Sequence, residues 1–138
     1  MKKRKIIYTV LPALLCLLSF VGCNQEENIM KNTYEQITAV EAKEIMDSEK
    51  GYVILDVRTE EEFADGHIEN AILIPDYEIE TKAESVIADK ESLILVYCRS
   101  GRRSKLAADA LVKLGYSNVK EFGGIIDWEY ETVIDDSL

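Results

Sequence analysis

From residue 34 onward, short apolar runs alternate along the chain with segments that repeat apolar residues at helical spacing. The short runs predict five β-strands. Their sequences are YEQI (34–37), YVILDV (52–57), AILIP (71–75), LILVY (93–97) and VKEF (119–122). The run 93–97 is apolar throughout, without alternation, which indicates a strand that is covered on both faces.

Five helices are predicted between and after these strands. They are TAVEAKEIM (38–46), TEEEF (59–63), EIETKAESVIA (78–88), SKLAADALVKLG (104–115) and IIDWEYETVI (125–134), the last preceded by a turn at Gly123 and Gly124. The first two begin with threonine and carry glutamate three positions later, which is the spacing of a capping box. The fourth is the strongest and begins near Arg103 or Ser104. Its predicted apolar stripe is Leu106, Ala107, Ala110, Leu111 and Leu114.

This order of elements predicts an α/β fold, with a mostly parallel sheet and helices on both faces. In open sheets of this kind, ligands bind at the carboxyl ends of the strands. Cys98 stands directly after the strongest predicted strand and before the strongest predicted helix. Cys98 is therefore a candidate residue for the ligand-binding site.

The charge of the chain is unevenly distributed. The formal net charge is -10, and four basic residues stand at positions 2–5, before any acidic residue. The chain after position 22 has 12 basic against 26 acidic residues, and four of the twelve lie within residues 99–105. An acidic surface repels nucleic acid phosphates and anionic lipid, so we expect neither nucleic acid nor a lipid surface to bind the folded domain.

The first residues have the parts of an export signal: a basic tip, an apolar run over residues 6–21 and a small Gly22. Val21, Gly22 and Cys23 resemble the lipobox of bacterial lipoproteins, although Phe20 stands where leucine is usual. The resemblance implies a signal peptide over residues 1–22, a lipidated Cys23 and a polar tether over residues 23–33. The domain of residues 34–138 would then be exported and lipid-anchored to a bacterial membrane, outside the cytoplasm. The alternative is an uncleaved membrane anchor.

Cysteine and histidine are scarce in the predicted domain, where Cys98 is the one cysteine and His67 the one histidine. An internal disulfide is therefore impossible, and a structural zinc site, which needs several such ligands, is not expected. We expect no metal and no cofactor. His67 could pair with Cys98 as in cysteine hydrolases. Its place in DGHIENA, between a short helix and a strand, favours a structural connection instead.

The segment CRSGR (98–102) predicts a tight turn from strand to helix. Backbone N–H groups of such a turn and of the first helical turn can converge on the sulfur and stabilise an anion there. Gly101 allows the bend. The arginines add positive potential, which favours a reactive thiolate and attracts a small anionic substrate. The alternative is an inert cysteine that only fills the core, but such a cysteine needs no arginines beside it.

Several segments, taken together, resemble the single-domain rhodaneses. They are ILDVRTEEEFADGHIENAILIP (54–75), VYCRSGRRS (96–104), LVKLGY (111–116) and EFGGIIDW (121–128). The resemblance implies a rhodanese-like fold, with a central five-stranded parallel sheet flanked by helices on both faces. It also implies a sulfurtransferase, in which Cys98 takes a sulfane sulfur from a small anionic donor such as thiosulfate or polysulfide. The resulting persulfide would pass the sulfur to cyanide or a thiol.

The same resemblance implies the roles of the residues around Cys98. The active-site loop would consist of Arg99, Ser100, Gly101, Arg102, Arg103 and Ser104, with the backbone of residues 99–103 as the cradle. Gly101 and Arg103 match the pattern Cys-x-x-Gly-x-Arg. Asp56 and Arg58 match the DVR block as supporting residues. We expect Asp56 to pair with a loop arginine or, alternatively, to cap the helix that follows Val57.

Two other functions stay open on the same fold. One is a persulfide carrier or redox-sensing module without turnover. The other is a small-anion phosphatase or arsenate reductase, similar to the cell-cycle phosphatases, in which an arginine follows the cysteine by six positions. Here position 104 is serine, and the arginine stands at 103. A loop one residue shorter makes a smaller cradle, which suits sulfur better than phosphate.

Overall fold

A computed structural model describes residues 33–134. The strands are β1 (Glu35–Gln36), β2 (Val53–Asp56), β3 (Ile72–Leu73), β4 (Ile94–Cys98) and β5 (Val119–Gly124). The helices are α1 (Ala39–Ser48), α2 (Glu60–Ala64), α3 (Ile79–Val86) and α4 (Arg102–Lys113), with 3₁₀ turns at Asp76–Glu78 and Ile125–Asp127. The strands form one sheet in the order β1-β5-β4-β2-β3, and every neighbouring pair is parallel. The predicted five-stranded parallel sheet is confirmed.

Both predicted capping boxes are present. Thr38 begins α1, where its hydroxyl accepts from the amide of Glu41 and the Glu41 carboxylate accepts from the amide of Thr38. Thr59 and Glu62 make the same reciprocal pair at the start of α2. Local sequence thus defines where these two helices begin.

The sheet separates two apolar clusters, because successive side chains of a strand point to opposite faces. On one face, Leu55 and Val96 pack with Ala83 of α3 and Leu111 of α4. On the other face, alternate strand residues pack with α1 and the segment after β5; this cluster comprises Ala42, Ile54, Ile68, Leu95, Tyr97, Phe122 and Trp128. Strand β4 is buried along its whole length. Helices therefore cover both faces, as expected.

The strongest predicted helix begins one residue earlier than expected, at Arg102, and its buried face differs from the predicted stripe. Leu106 is 55% exposed, whereas Ser104 and Ala108 are fully buried beside Ala107 and Leu111. Helical spacing from Ser104 reaches Ala107, Ala108 and Leu111 on one side, and the polar Ser104 belongs to that side. An apolar pattern alone does not detect a serine that is buried because it makes hydrogen bonds.

The predicted terminal helix over 125–134 is wrong. Only a 3₁₀ turn at Ile125–Asp127 forms, and Gly123 and Gly124 belong to β5 instead of a turn. Beyond it, Val133 pairs with His67 through two backbone hydrogen bonds of 2.9 and 2.8 Å. This long-range pairing and the burial of Trp128 hold the segment extended, and neither is visible in local periodicity.

The predicted signal peptide, Cys23 and nearly all of the predicted tether lie outside the described residues. Within residues 33–134, none of the helices has the length and apolar character to cross a membrane.

Candidate active site

Cys98 is the last residue of β4, and only residues 99–101 separate it from α4. Gly101 stands at the N-cap of α4 with φ of 96°, in the left-handed region that favours glycine. The turn is therefore tighter than the sequence predicted. Its compactness places the first turn of α4 directly beside the thiol.

The sulfur of Cys98 is buried and hydrogen-bonded. The amide of Gly101 donates to Sγ at 3.0 Å, and Ser104 Oγ lies 3.4 Å from Sγ. Burial raises the pKa of the Cys98 thiol, but the hydrogen bonds that the thiolate accepts from the Ser104 hydroxyl and from the amides of Ser104, Gly101 and Ser100 outweigh it, so that this pKa lies below its ordinary value. The result is a thiol that ionises readily.

Gly124 lets the loop lie against β5. A methyl group built at Gly124 would lie 2.1 Å from the carbonyl oxygen of Arg99 and 2.5 Å from the Cα of Ser100. No side chain fits at that distance. The amide of Ile126 donates to the same Arg99 oxygen at 3.2 Å. Gly124, the second glycine of EFGGIIDW, thus allows the loop backbone to pack directly against β5.

The basic residues of the loop have different environments. Arg99, Arg102 and Lys105 are exposed. Arg103 is half-buried, and its guanidinium makes two hydrogen bonds of 2.7 Å to the carboxylate of Glu62 in α2. This pairing raises the pKa of Arg103, with a smaller contribution from the Cys98 charge. Arg103 is therefore the loop cation whose position is held by a specific partner.

Glu62 was missed as a site residue. Its position three residues after Thr59 predicted only the capping role, which it also fills through one of the same oxygens. Nothing in local sequence connects α2 to the start of α4, because the contact spans 41 positions.

Asp56 does not pair with a loop arginine and does not cap α2. Its carboxylate is fully buried and binds Arg58, with Nη2 at 2.7 Å from Oδ2 and Nε at 3.0 Å from both oxygens. Arg58 also donates to the carbonyl of Gly66 at 2.8 Å and lies over the ring of Tyr97. Both predicted roles for Asp56 are wrong. The N-cap of α2 is Thr59, and the arginine that binds the Asp56 carboxylate is Arg58, two positions away, instead of an arginine of the loop.

His67 is buried and stacks on the ring of Phe63 at 3.7 Å, with Nδ1 3.0 Å from the Phe63 carbonyl. Its backbone pairs with Val133. These contacts fit the structural connection that its sequence position favoured. In the part of the chain that is described, no group of three or more His, Cys, Asp or Glu side chains is arranged to hold a metal ion.

A second carboxylate lies close to the thiol. Glu121 of β5 is 2% exposed, and its Oε1 accepts from Ser104 Oγ at 2.6 Å and from the amide of Gly123 at 2.8 Å. Ser104 therefore stands between Cys98 and Glu121. Sequence analysis offered only His67 as a base for Cys98 and missed Glu121, because Glu121 belongs to a different strand; the available signal was a carboxylate within the predicted strand 119–122.

The fold and the loop together define an α/β protein with a buried cysteine, hydrogen-bonded by a loop amide, at the carboxyl end of the central parallel strand. Residues 38–131 match the model of the rhodanese-like domain. The chain belongs to this family.

Related proteins agree with this assignment. The thiosulfate sulfurtransferase PspE of Escherichia coli is 36% identical over 73 residues, which are 53% of this chain and 70% of PspE. The thiosulfate sulfurtransferase GlpE of Coxiella burnetii is 35% identical over 97 residues, 70% of this chain and 88% of GlpE. The crystal structure of a rhodanese-related protein from Thermoplasma volcanium is similar with a TM-score of 0.65 and 33% sequence identity. The match covers 74% of this chain and 100% of the Thermoplasma chain.

Proposed function

We propose that the protein is a sulfurtransferase that moves a sulfane sulfur from an anionic donor, thiosulfate or a polysulfide, to a thiophilic acceptor, cyanide or a thiol. The observation that carries the proposal is the Cys98 sulfur held by the Gly101 amide and the Ser104 hydroxyl. The names of the similar proteins PspE and GlpE, both thiosulfate sulfurtransferases, support the same reaction.

The reaction has two balanced steps. The Cys98 thiolate attacks the outer sulfur of thiosulfate, a new S–S bond forms, and the old S–S bond breaks with its electron pair leaving on sulfite. Cyanide then attacks the outer sulfur of the Cys98 persulfide, thiocyanate leaves, and the thiolate is restored. A covalent intermediate thus divides one transfer into two displacements.

The amides of the loop have the same role in both steps. They stabilise negative charge on sulfur, first on the thiolate and then on the persulfide. The exposed Arg99 and Arg102 supply positive charge at the loop in a strongly acidic protein, which favours the approach of an anionic donor. Neither displacement requires water to be activated, which fits a site built from amides and a hydroxyl.

The test is the production of thiocyanate from thiosulfate and cyanide by the full chain. We expect multiple turnovers, and none with Cys98→Ser. The matched control is Ser117→Ala, an exposed position outside the loop, which should retain activity. Mass spectrometry after thiosulfate alone should find one added sulfur on Cys98. That adduct without turnover would favour a persulfide carrier, and Cys98-dependent hydrolysis of an aryl phosphate would favour a phosphatase.

We further propose that the protein is exported and anchored to a bacterial membrane by lipid on Cys23. The lipobox-like Val21, Gly22 and Cys23 after a basic tip and an apolar run support this. Two or more acyl chains would hold the domain stably at a membrane surface.

A further inference from the structure

Glu121 is a buried acid that contacts the same serine as the thiol and that the two displacements above do not use. Its side chain is 2% exposed, and the two groups that donate to Oε1, the Ser104 hydroxyl and the Gly123 amide, are neutral. Burying a carboxylate without a cation is costly. A strand residue with only a packing role would not need a carboxylate in this position.

Ser104 connects Glu121 to the sulfur and has a single hydrogen to donate. The 2.6 Å separation between Ser104 Oγ and Glu121 Oε1 is that of a short, charge-assisted O–H···O⁻ bond. With its hydrogen directed to Glu121, Ser104 offers Cys98 a lone pair, and the thiol can donate to it across 3.4 Å. The three groups thus form a continuous line from S–H to O–H to carboxylate.

We propose that Glu121 accepts the proton of Cys98 through the Ser104 hydroxyl. The Cys98 proton moves to Ser104 Oγ while the Ser104 proton moves to Glu121 Oε1. Cys98 becomes a thiolate, Glu121 becomes a neutral carboxylic acid, and Ser104 keeps one hydrogen. The site carries one negative charge before and after, and nothing is oxidised or reduced.

The transfer deepens the proposed sulfurtransferase reaction and rests on it for its role in turnover. After the transfer, Ser104 donates to the sulfur, beside the Gly101 amide, and the thiolate is ready to attack the donor. When the acceptor removes the sulfur, the proton can return from Glu121 to the released thiolate. Glu121 acts through Ser104 and is therefore a positioning residue for the proton, one that touches no substrate.

Other charged and titratable groups face this line. They are Tyr34 before β1, Arg103 and Lys105 of α4, and Asp127 of the 3₁₀ turn. Burial, Asp109 and Glu121 together raise the pKa of Tyr34. Asp127 is exposed at a cavity of about 340 Å³ that Glu121 and Lys105 also line. Asp127 therefore offers a matched control, since its substitution by asparagine removes a carboxylate charge from the same region.

The test is the pH dependence of Cys98 alkylation by iodoacetamide, which requires no sulfur transfer. It is measured on the full chain by mass spectrometry of the peptide that contains Cys98, so that Cys16 and Cys23 do not contribute. Because Cys98 and Glu121 share one proton, we expect two titration steps in the wild-type rate, with a nearly flat region between them. Glu121→Gln should show one step, with the rate falling about tenfold for each pH unit below it.

Three further variants complete the test. Asp127→Asn should retain both steps. Ser104→Ala removes the hydroxyl that couples the two groups and should shorten the flat region between the steps, and the double variant Ser104→Ala/Glu121→Gln should give one step. If the alkylation rates of wild type and Glu121→Gln depended on pH in the same way, the proposal would be overturned, even if the absolute rates differed. Absence of thiocyanate production with two-step alkylation would instead overturn the proposed function and leave the proton path standing.

Discussion

Arg103 and Glu62 form a two-point ion pair, with both nitrogen–oxygen distances at 2.7 Å, that joins the first turn of α4 to α2 beside the Cys98 loop. The fork of a guanidinium matches the two oxygens of a carboxylate, so the pair fixes direction as well as distance. Arg103 is also the arginine of the Cys-x-x-Gly-x-Arg pattern. The loop therefore depends on a helix that precedes it in the chain by some forty residues.

Glu62→Gln should alter the pH dependence of stability. The hydrogen bonds from Arg103 lower the pKa of Glu62 to about 2. A lowered pKa means that the pair stabilises the fold fully above the ordinary glutamate pKa of about 4.3 and loses this effect as the pH falls toward 2. The pair is partly exposed, so we expect a difference in unfolding free energy of less than about 1 kcal/mol.

Urea unfolding of wild type and Glu62→Gln at pH 7, 5 and 3 measures this difference. It should be equal at pH 7 and 5 and smaller at pH 3. Glu60→Gln, an exposed glutamate of the same helix, is the control and should show no such trend. A difference that grows toward low pH would contradict the assigned pair.

Arg103→Ala should lower sulfurtransferase activity more than Lys105→Ala. Removing Arg103 leaves the Glu62 carboxylate unpaired beside the loop, where it repels an anionic donor, and we expect a loss of roughly tenfold or more in kcat/KM. Lys105 is exposed in α4, and its loss should change kcat/KM by less than about threefold. Steady-state kinetics with thiosulfate measure both.

A double variant separates the two causes of that loss. Arg103→Ala/Glu62→Gln removes the orphaned carboxylate and should recover part of the activity lost in Arg103→Ala. Equal effects of Arg103→Ala and Lys105→Ala would show that only the total charge of the loop matters.

Gly124→Ala should abolish activity, because its methyl group cannot occupy the space that the Arg99 carbonyl fills at 2.1 Å. The loop must move, and the Gly101 amide then loses its place at the sulfur. Cys98 alkylation at constant pH and thiocyanate production both measure the effect. Gly115→Ala adds a methyl in open space at a left-handed position; it should cost about 1 kcal/mol of stability and leave activity unchanged. An active Gly124→Ala variant would refute the close contact.

Asp56→Asn should lower stability strongly and affect chemistry little. It leaves the buried Arg58 without its anion, and breaking one side of a buried pair costs about 3–5 kcal/mol. Urea unfolding should show this loss, and the exposed Asp65→Asn should not. If Asp56→Asn instead slowed Cys98 alkylation in the folded protein at unchanged stability, Asp56 would belong to the active site.

Cys23→Ala should release the protein from membranes or block its processing. Lipid attached at Cys23 is the proposed anchor, and without it the apolar segment is not cleaved at the lipobox. Fractionation and intact mass of both forms test this. A wild-type chain of unprocessed mass, fractionating as Cys23→Ala does, would indicate an uncleaved membrane anchor.

The sequence by itself determined the parallel sheet, the two capping boxes and the Cys98 loop at the end of β4, because these depend on periodicity and on neighbours within a few positions. The tertiary structure decided which residues of distant segments contact one another. Glu62 of α2 binds Arg103, and Glu121 of β5 accepts a hydrogen bond from Ser104. Val133, which was predicted to be helical, pairs instead with His67. Each of these contacts joins residues far apart in sequence, and its free energy arises only once the sheet has brought both ends together. The loop that first stood out by its charge thus gains its acid–base chemistry from a neighbouring strand.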